Sequence, residues 1–205
     1  MQAGPGARIG LLGGSFNPPH LAHLALARTA VQALQLDEVW WLPAGQPWQK
    51  AGRALEAAHH RAAMVRLLIQ DEPRCCLDER ELHRPGPTYT VDTVRECRAQ
   101  HPEASFFLIL GQDQYGRLDT WRDWQGLLAE VTLAVAARDG QPPVPPAALA
   151  GTPHRLKVLP LPDMPVSSTA LREALGRGDD VSRLVGTAVA GYIARHHLYR
   201  GQTPT

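Results

Sequence analysis

Short apolar runs of strand length recur along this chain, and helical patterns fill most of the gaps between them. Arg8–Leu12, Glu38–Pro43, Ser105–Gly111, Val131–Ala136 and Leu156–Leu159 each read as a strand, and Arg74–Asp78 as one with a fainter apolar pattern. Between them Leu24–Leu34 and about Ala57–Gln70 read as helices. Pro87–Val94 opens another, with Thr88 or Thr90 as its N-cap. Gln141–Pro153 carries four prolines between residues 142 and 146 and reads as a surface loop, because strand-like residues resume at Leu156. Beyond Pro165 the pattern is helical: Ser168–Leu175, then about Val181–His197. Strands alternating with helices predict the α/β class, a doubly wound parallel sheet covered on both faces and followed by C-terminal helices over about 166–200. In such sheets ligands bind at the carboxyl ends of the strands.

At 205 residues the chain supports one substantial core and is too short for two full domains, so a single domain over 1–205 is expected. Hydrophobic content is 44% and charged content 20%, ordinary values for an ordered fold. A formal net charge of +1 offers no general affinity for nucleic acid by counterion release. Phosphate binding must therefore come from local placement of groups. No segment approaches the ~18 continuous apolar residues of a membrane span. The stretch Met1–Ala7 lacks the charged start and apolar run of a secretory signal. Three cysteines, Cys75, Cys76 and Cys97, form no even framework and no CxxC, which predicts a reducing cytoplasm and buried small hydrophobes.

The first strand leads into Gly13-Gly14-Ser15-Phe16-Asn17-Pro18-Pro19-His20-Leu21-Ala22-His23 and then a helix. Strand, glycine turn and helix start make an anion site, since N–H groups and the helix dipole point at the ligand. Gly13 and Gly14 allow close backbone approach, and the prolines stiffen the turn. His20 and His23, three apart, share a face of a first helical turn. They read as imidazole donors to phosphate, as a metal pair lacking a supported third ligand, or as plain core histidines.

Other stretches carry chemistry with a plain structural reading beside it. Asp113 in Gly111-Gln112-Asp113 follows the Ser105 strand and suits a ribose hydroxyl, a magnesium ion or a helix N-cap. Ser167-Ser168-Thr169-Ala170-Leu171-Arg172 opens a helix with three hydroxyls and an arginine, suiting either an anion or an ordinary cap. Trp121, in Thr120–Trp124, either stacks on a flat heterocycle or anchors its loop. Trp40 and Trp41 read as core, and Glu79-Arg80-Glu81 as a solvated, locally paired charge run. His20, Asp113 and Arg138 each follow a predicted strand, so they can converge on one sheet edge.

Taken together, the chain resembles the nucleotidyltransferase superfamily, with its GGxFxPxHxGH-type turn and later SSTxxR-type helix start. Within it the span from about Ile9 to Arg200 looks like bacterial nicotinate-nucleotide adenylyltransferases. The discriminating stretches are Leu77–Leu82, Pro87–Thr90, Gly111–Asp113 and Thr120-Trp121. The resemblance implies a Rossmann-like fold and a cytoplasmic enzyme of NAD biosynthesis. It would transfer AMP from ATP to nicotinate mononucleotide, giving deamido-NAD and pyrophosphate by direct in-line attack. By the same resemblance Gly13, Gly14, Ser15 and Phe16 hold the nucleotide, and His20 and His23 contact the ATP phosphates. Ser168, Thr169 and Arg172 meet the leaving pyrophosphate, with Arg138 near the nucleotide. Lys50, Thr88, Tyr89, Asp113 and Trp121 serve the second substrate, Trp121 stacking on its pyridine. Mg2+ would accompany ATP, bridging phosphate oxygens, with Asp113 as a water-mediated contact.

Three positions depart from the family pattern. Asn17 stands where Asp is frequent, Ala22 replaces Gly, and Pro47-Trp48-Gln49-Lys50 lacks the usual Pro-His-Lys or Pro-His-Arg. Rival readings are a transferase acting on nicotinamide mononucleotide, phosphopantetheine or a CTP-dependent substrate, and a non-catalytic nucleotide-binding module.

Overall fold

The computed structural model describes residues 4–47, 55–137, 141–161 and 164–200. Their main feature is a six-stranded sheet of β1 (Arg8–Gly14), β2 (Glu38–Pro43), β4 (Cys75–Leu77), β6 (Ser105–Leu110), β7 (Thr132–Ala136) and β8 (Leu156–Leu159). The order is β4-β2-β1-β6-β7-β8 and every neighbouring pair is parallel. A parallel sheet must be covered on both faces, which is why its central strands are continuous apolar runs. Alternate side chains of each run go to opposite faces. Ile9, Leu11, Trp40, Leu42, Phe106 and Leu108 enter one core, while Leu12, Val39, Trp41, Phe107 and Ile109 enter the other.

The first of these cores is closed by α4 (Thr90–Gln100) and α6 (Trp124–Glu130), through Val94, Cys97 and Leu127. The second is closed by α1 (Leu21–Leu34), α2 (Ala58–Leu68), α8 (Ser168–Arg177) and α10 (Thr187–Arg195). Gly10 has no side chain because a Cβ there would lie 2.8 Å from both Leu36 Cδ1 and Ile109 Cδ1. From β1 the chain winds outward through β2 to β4, then returns to β6 on the other side of β1 and winds outward again. The reversal leaves a crevice between the carboxyl ends of β1 and β6.

Several boundaries differ from the sequence reading. Helix α1 begins at Leu21 rather than Leu24, so His20 is its N-cap and His23 its third residue. Helix α4 is capped by Tyr89, not by Thr88 or Thr90, and no side chain closes that cap. Thr88 instead belongs to β5 (Pro87–Thr88), which pairs in parallel with β3 (Gln46–Pro47). Two residues per strand have no periodicity to read, so this small sheet left no local signal. The Val181–His197 helix is two, α9 (Ser182–Val185) and α10, broken at Gly186, whose φ of +85° lies outside the helical range. The proline-rich loop contains the short helix α7 (Ala147–Ala150).

The Glu79–Glu81 run is not a solvated face. Glu79 pairs with Arg66, Arg80 with Asp78, and Glu81 is buried against the Thr93 hydroxyl, which donates to it at 2.7 Å. Of the cysteines only Cys97 is fully buried, and Cys75 and Cys76 are half-buried; all three are free.

Candidate active site

The turn from Gly13 to His20 leaves β1 at the crevice and runs straight into α1. A Cβ at Gly13 would meet nothing within 4 Å, so the missing side chain serves no internal contact there. Phe16 is in the left-handed region, with φ of +47°, and its ring is buried. It lies edge-on to His23 at 5.1 Å and tilted against Trp41 at 5.3 Å. The Phe16 ring thus anchors the turn in the core.

The His20 and His23 rings stack at 3.7 Å between centroids. The His20 backbone N–H donates to His23 Nδ1 at 3.2 Å. An imidazole that accepts at Nδ1 carries its proton on Nε2. His23 therefore presents a donor, which suits an anion, and its Nδ1 is already engaged. His20 is 6% exposed, and its Nδ1 has no hydrogen-bond partner. Burial lowers the His20 pKa to about 4, so the ring is neutral near pH 7.

The distal helix start comes to the same place. Ser167 caps α8 by accepting from the Ala170 N–H at 3.2 Å, which leaves the next two hydroxyls for other work. Ser168 Oγ donates to the Pro18 carbonyl at 2.9 Å. Arg172 donates through Nη1 to the Asn17 carbonyl at 2.8 Å and through Nη2 to Thr169 Oγ1 at 3.2 Å. Residues 150 and 155 positions along the chain from their partners in the glycine turn are thus bonded to it. The ordinary-cap reading holds for Ser167, while Ser168 and Arg172 tie the helix start to the turn.

Asp113 lies in the first turn of α5 (Gln112–Tyr115), directly after β6, and its carboxylate is exposed at the same edge of the sheet. It is not the N-cap, which is Gly111. Thr88 is buried in the small sheet, and Tyr89 and Trp121 pack half-buried against the core that contains Trp40. Arg122 lies over the Tyr89 ring, with Cζ 4.6 Å from its centroid. The Trp121 indole N–H is buried without a partner. Lys50, Gln49 and Arg138 lie outside the described residues.

Sequence reasoning missed a second tier under the turn. Arg61 is 2% exposed and donates to the carbonyls of Ser15 at 2.8 Å, Glu56 at 3.0 Å and Gly45 at 3.4 Å. One guanidinium therefore ties the glycine turn to the two ends of the segment between β2 and α2. Its spacing held a signal: Arg61, Val65 and Leu68 recur at i, i+4 and i+7, so the arginine lies on the apolar stripe of its helix. Asn17 is also buried, and its side-chain oxygen accepts from the Glu56 N–H and the Tyr199 hydroxyl. An acceptor facing two donors in a dry site works as a neutral amide. The charge of the more frequent Asp is not required for those bonds.

The cytidylyltransferase-like family model matches residues 11–174, from β1 through most of α8. A "probable nicotinate-nucleotide adenylyltransferase" of Methylibium petroleiphilum is 53% identical over 211 residues, covering 100% of this chain and 99% of its own. One of the same description from Bordetella petrii is 48% identical, with 94% of this chain and 99% of that protein covered. Among solved structures, Plasmodium falciparum nicotinic acid mononucleotide adenylyltransferase complexed with NaAD has the same fold. Its TM-score is 0.80 at 20% identity, covering 94% of this chain and 97% of that one. The crevice, the turn pinned to a distant helix start and these full-length relatives place the chain in the nicotinate-nucleotide adenylyltransferase family of cytidylyltransferase-like proteins.

Proposed function

We infer that this chain transfers the AMP moiety of ATP to nicotinate mononucleotide, forming deamido-NAD and releasing pyrophosphate. The observation that carries the reading is the pinning of the Gly13–His23 turn to α8 through Arg172–Asn17 and Ser168–Pro18. It brings the N-termini of α1 and α8, the stacked His20 and His23 rings and the Arg172 guanidinium together at the β1–α1 turn. That arrangement suits a triphosphate.

The reaction needs no covalent intermediate. A 5′-phosphate oxygen of nicotinate mononucleotide attacks the ATP α-phosphorus, a new P–O bond forms, and the bond to the β-phosphate oxygen breaks. Negative charge grows on the α-phosphoryl oxygens and on the departing pyrophosphate. Neutral His20 and His23 donate N–H groups toward it, and Arg172, Ser168 and Thr169 meet the leaving group. Gly13 to Phe16 offer backbone along the nucleotide, and Asp113 the ribose. Thr88, Tyr89 and Trp121 form the pyridine pocket, with the Trp121 ring stacked on the base. Lys50 is assigned to the substrate phosphate and Arg138 to the nucleotide, both on the family resemblance.

Among the described residues no three His, Cys, Asp or Glu side chains come together to hold a metal. A Mg2+ ion carried by the ATP phosphates would have exposed Asp113 as an outer contact through water. Such an ion would neutralise the triphosphate charge. No helix among the described residues is long and apolar enough to cross a membrane, and the three free thiols support a reducing, cytoplasmic setting.

The test is pyrophosphate release from ATP, Mg2+ and either nicotinate or nicotinamide mononucleotide. The acid should exceed the amide in kcat/KM by roughly a hundredfold or more, because a pocket built for a carboxylate leaves donors facing the amide N–H. Equal values for the two would remove the specificity. Binding of both substrates without release would identify a non-catalytic module instead.

A further inference from the structure

Asn17 joins three parts of the chain that are remote in sequence. Its side-chain oxygen accepts from the Tyr199 hydroxyl at 3.0 Å and from the Glu56 N–H at 3.1 Å. The Glu56 carboxylate accepts from the Tyr199 N–H at 3.2 Å, which closes a ring through all three residues. The Asn17 carbonyl, on the other side, is the one that holds Arg172. Tyr199 is 1% exposed, although it lies beyond the last helix. To bring it back into the core, the chain passes through left-handed backbone at His197, with φ of +53°, and at Tyr199 itself, with φ of +63°. Non-glycine residues keep such conformations only where their surroundings hold them there.

The ring of Tyr199 has a sufficient packing explanation, since it belongs to the core that contains Phe16, Trp41 and Met64. The hydroxyl does not. Phenylalanine would fill nearly the same space without taking a polar group into the interior. Burial and the nearby Glu56 carboxylate raise the phenol pKa well above its ordinary value, so the hydroxyl stays a donor. Its bond goes to the turn residue whose carbonyl orients Arg172.

We propose that Tyr199 is a positioning residue for adenylyl transfer, holding the β1–α1 turn and Arg172 in register through Asn17. This rests on the reading of Arg172 as the group that meets the leaving pyrophosphate. Tyr199→Phe should lower kcat about tenfold, as expected when one well-placed hydrogen bond is lost from a preorganised site. KM for ATP and for nicotinate mononucleotide should move less than about twofold, because the loss falls on transition-state alignment. Asn17→Ala should cost at least as much. The double variant should be no worse than Asn17→Ala alone, since the phenol acts through Asn17.

Cys97→Ala, a buried truncation in the core on the opposite face of the sheet, is the stability control and should lower Tm while keeping kcat. Unchanged kcat in Tyr199→Phe, or a loss that multiplies in full with that of Asn17→Ala, overturns the proposal. If Tyr199→Phe does not fold, Glu56→Ala cuts the same ring at the Tyr199 N–H and should reproduce the kcat loss; normal kcat there overturns it equally. Wild-type turnover run in parallel separates the two levels. A wild type that releases no pyrophosphate removes the proposed function and this role with it, whereas normal wild-type turnover beside an unaffected variant removes only the role of Tyr199.

Discussion

His20 shows at the scale of one residue how the site combines stability with chemistry. A buried imidazole with an unpartnered nitrogen costs free energy. Its folded pKa is about 4 against an ordinary 6.5, so the folded protein favours the neutral ring. As pH falls from 6.5 toward 4, the unfolded chain takes up a proton that the folded chain refuses. Stability that is full above pH 6.5 is lost across that window, by about 3 kcal/mol at pH 4. His20→Gln should therefore show a shallower decline in unfolding free energy between pH 7.5 and 4, measured by denaturant titration. Matching declines would mean that His20 is not the group responsible. In catalysis, His20→Ala should lower kcat by roughly two to three orders of magnitude in a folded protein, the usual cost of one preorganised donor. Near-normal turnover would take His20 out of the mechanism.

Between elements, the small β3–β5 sheet brings the end of β2 against the proposed pyridine pocket. Gly45 sits at that join, and a methyl group there would run into the carbonyl oxygen of Glu81. That atom is backbone, so it cannot swing aside as a side-chain terminus would. Arg61 also donates to the Gly45 carbonyl, which fixes the strand from the other direction. Gly45→Ala should destabilise the protein by about 3 kcal/mol, near the upper end of overpacking costs. It should also raise KM for nicotinate mononucleotide more than KM for ATP, because Thr88 moves with β5 while the β1 turn stays in place. A variant with wild-type Tm would show that the strand can shift freely, and equal KM changes would detach this sheet from the pyridine pocket.

Across the whole molecule, the elements that were legible in the sequence are those whose surroundings are uniform. Central parallel strands are buried on both faces, so Val39–Pro43 and Phe106–Leu110 stand out as unbroken apolar runs. The glycine turn was legible because its residue types are demanded locally by a strand-to-helix reversal. The break at Gly186 was less so, since a single glycine in an apolar pattern does not reveal its own φ. Arg61, Glu56 and Tyr199 were not legible as parts of the site, because an arginine or a tyrosine names no partner until the chain is folded. The sequence by itself determined a doubly wound sheet, a glycine turn after its first strand, and a second hydroxyl-and-arginine motif near the far end. Only the tertiary structure decided that these meet, that His23 accepts at Nδ1, and that Tyr199 folds back to bond Asn17 in the turn. The physical reason is that propensity and periodicity are properties of neighbours along the chain, whereas tautomers, buried bonds and shifted pKa values belong to neighbours in space. Asn17 shows the difference: in sequence it is a missing charge, and in the fold it is the acceptor that joins Tyr199 and Glu56 to Arg172.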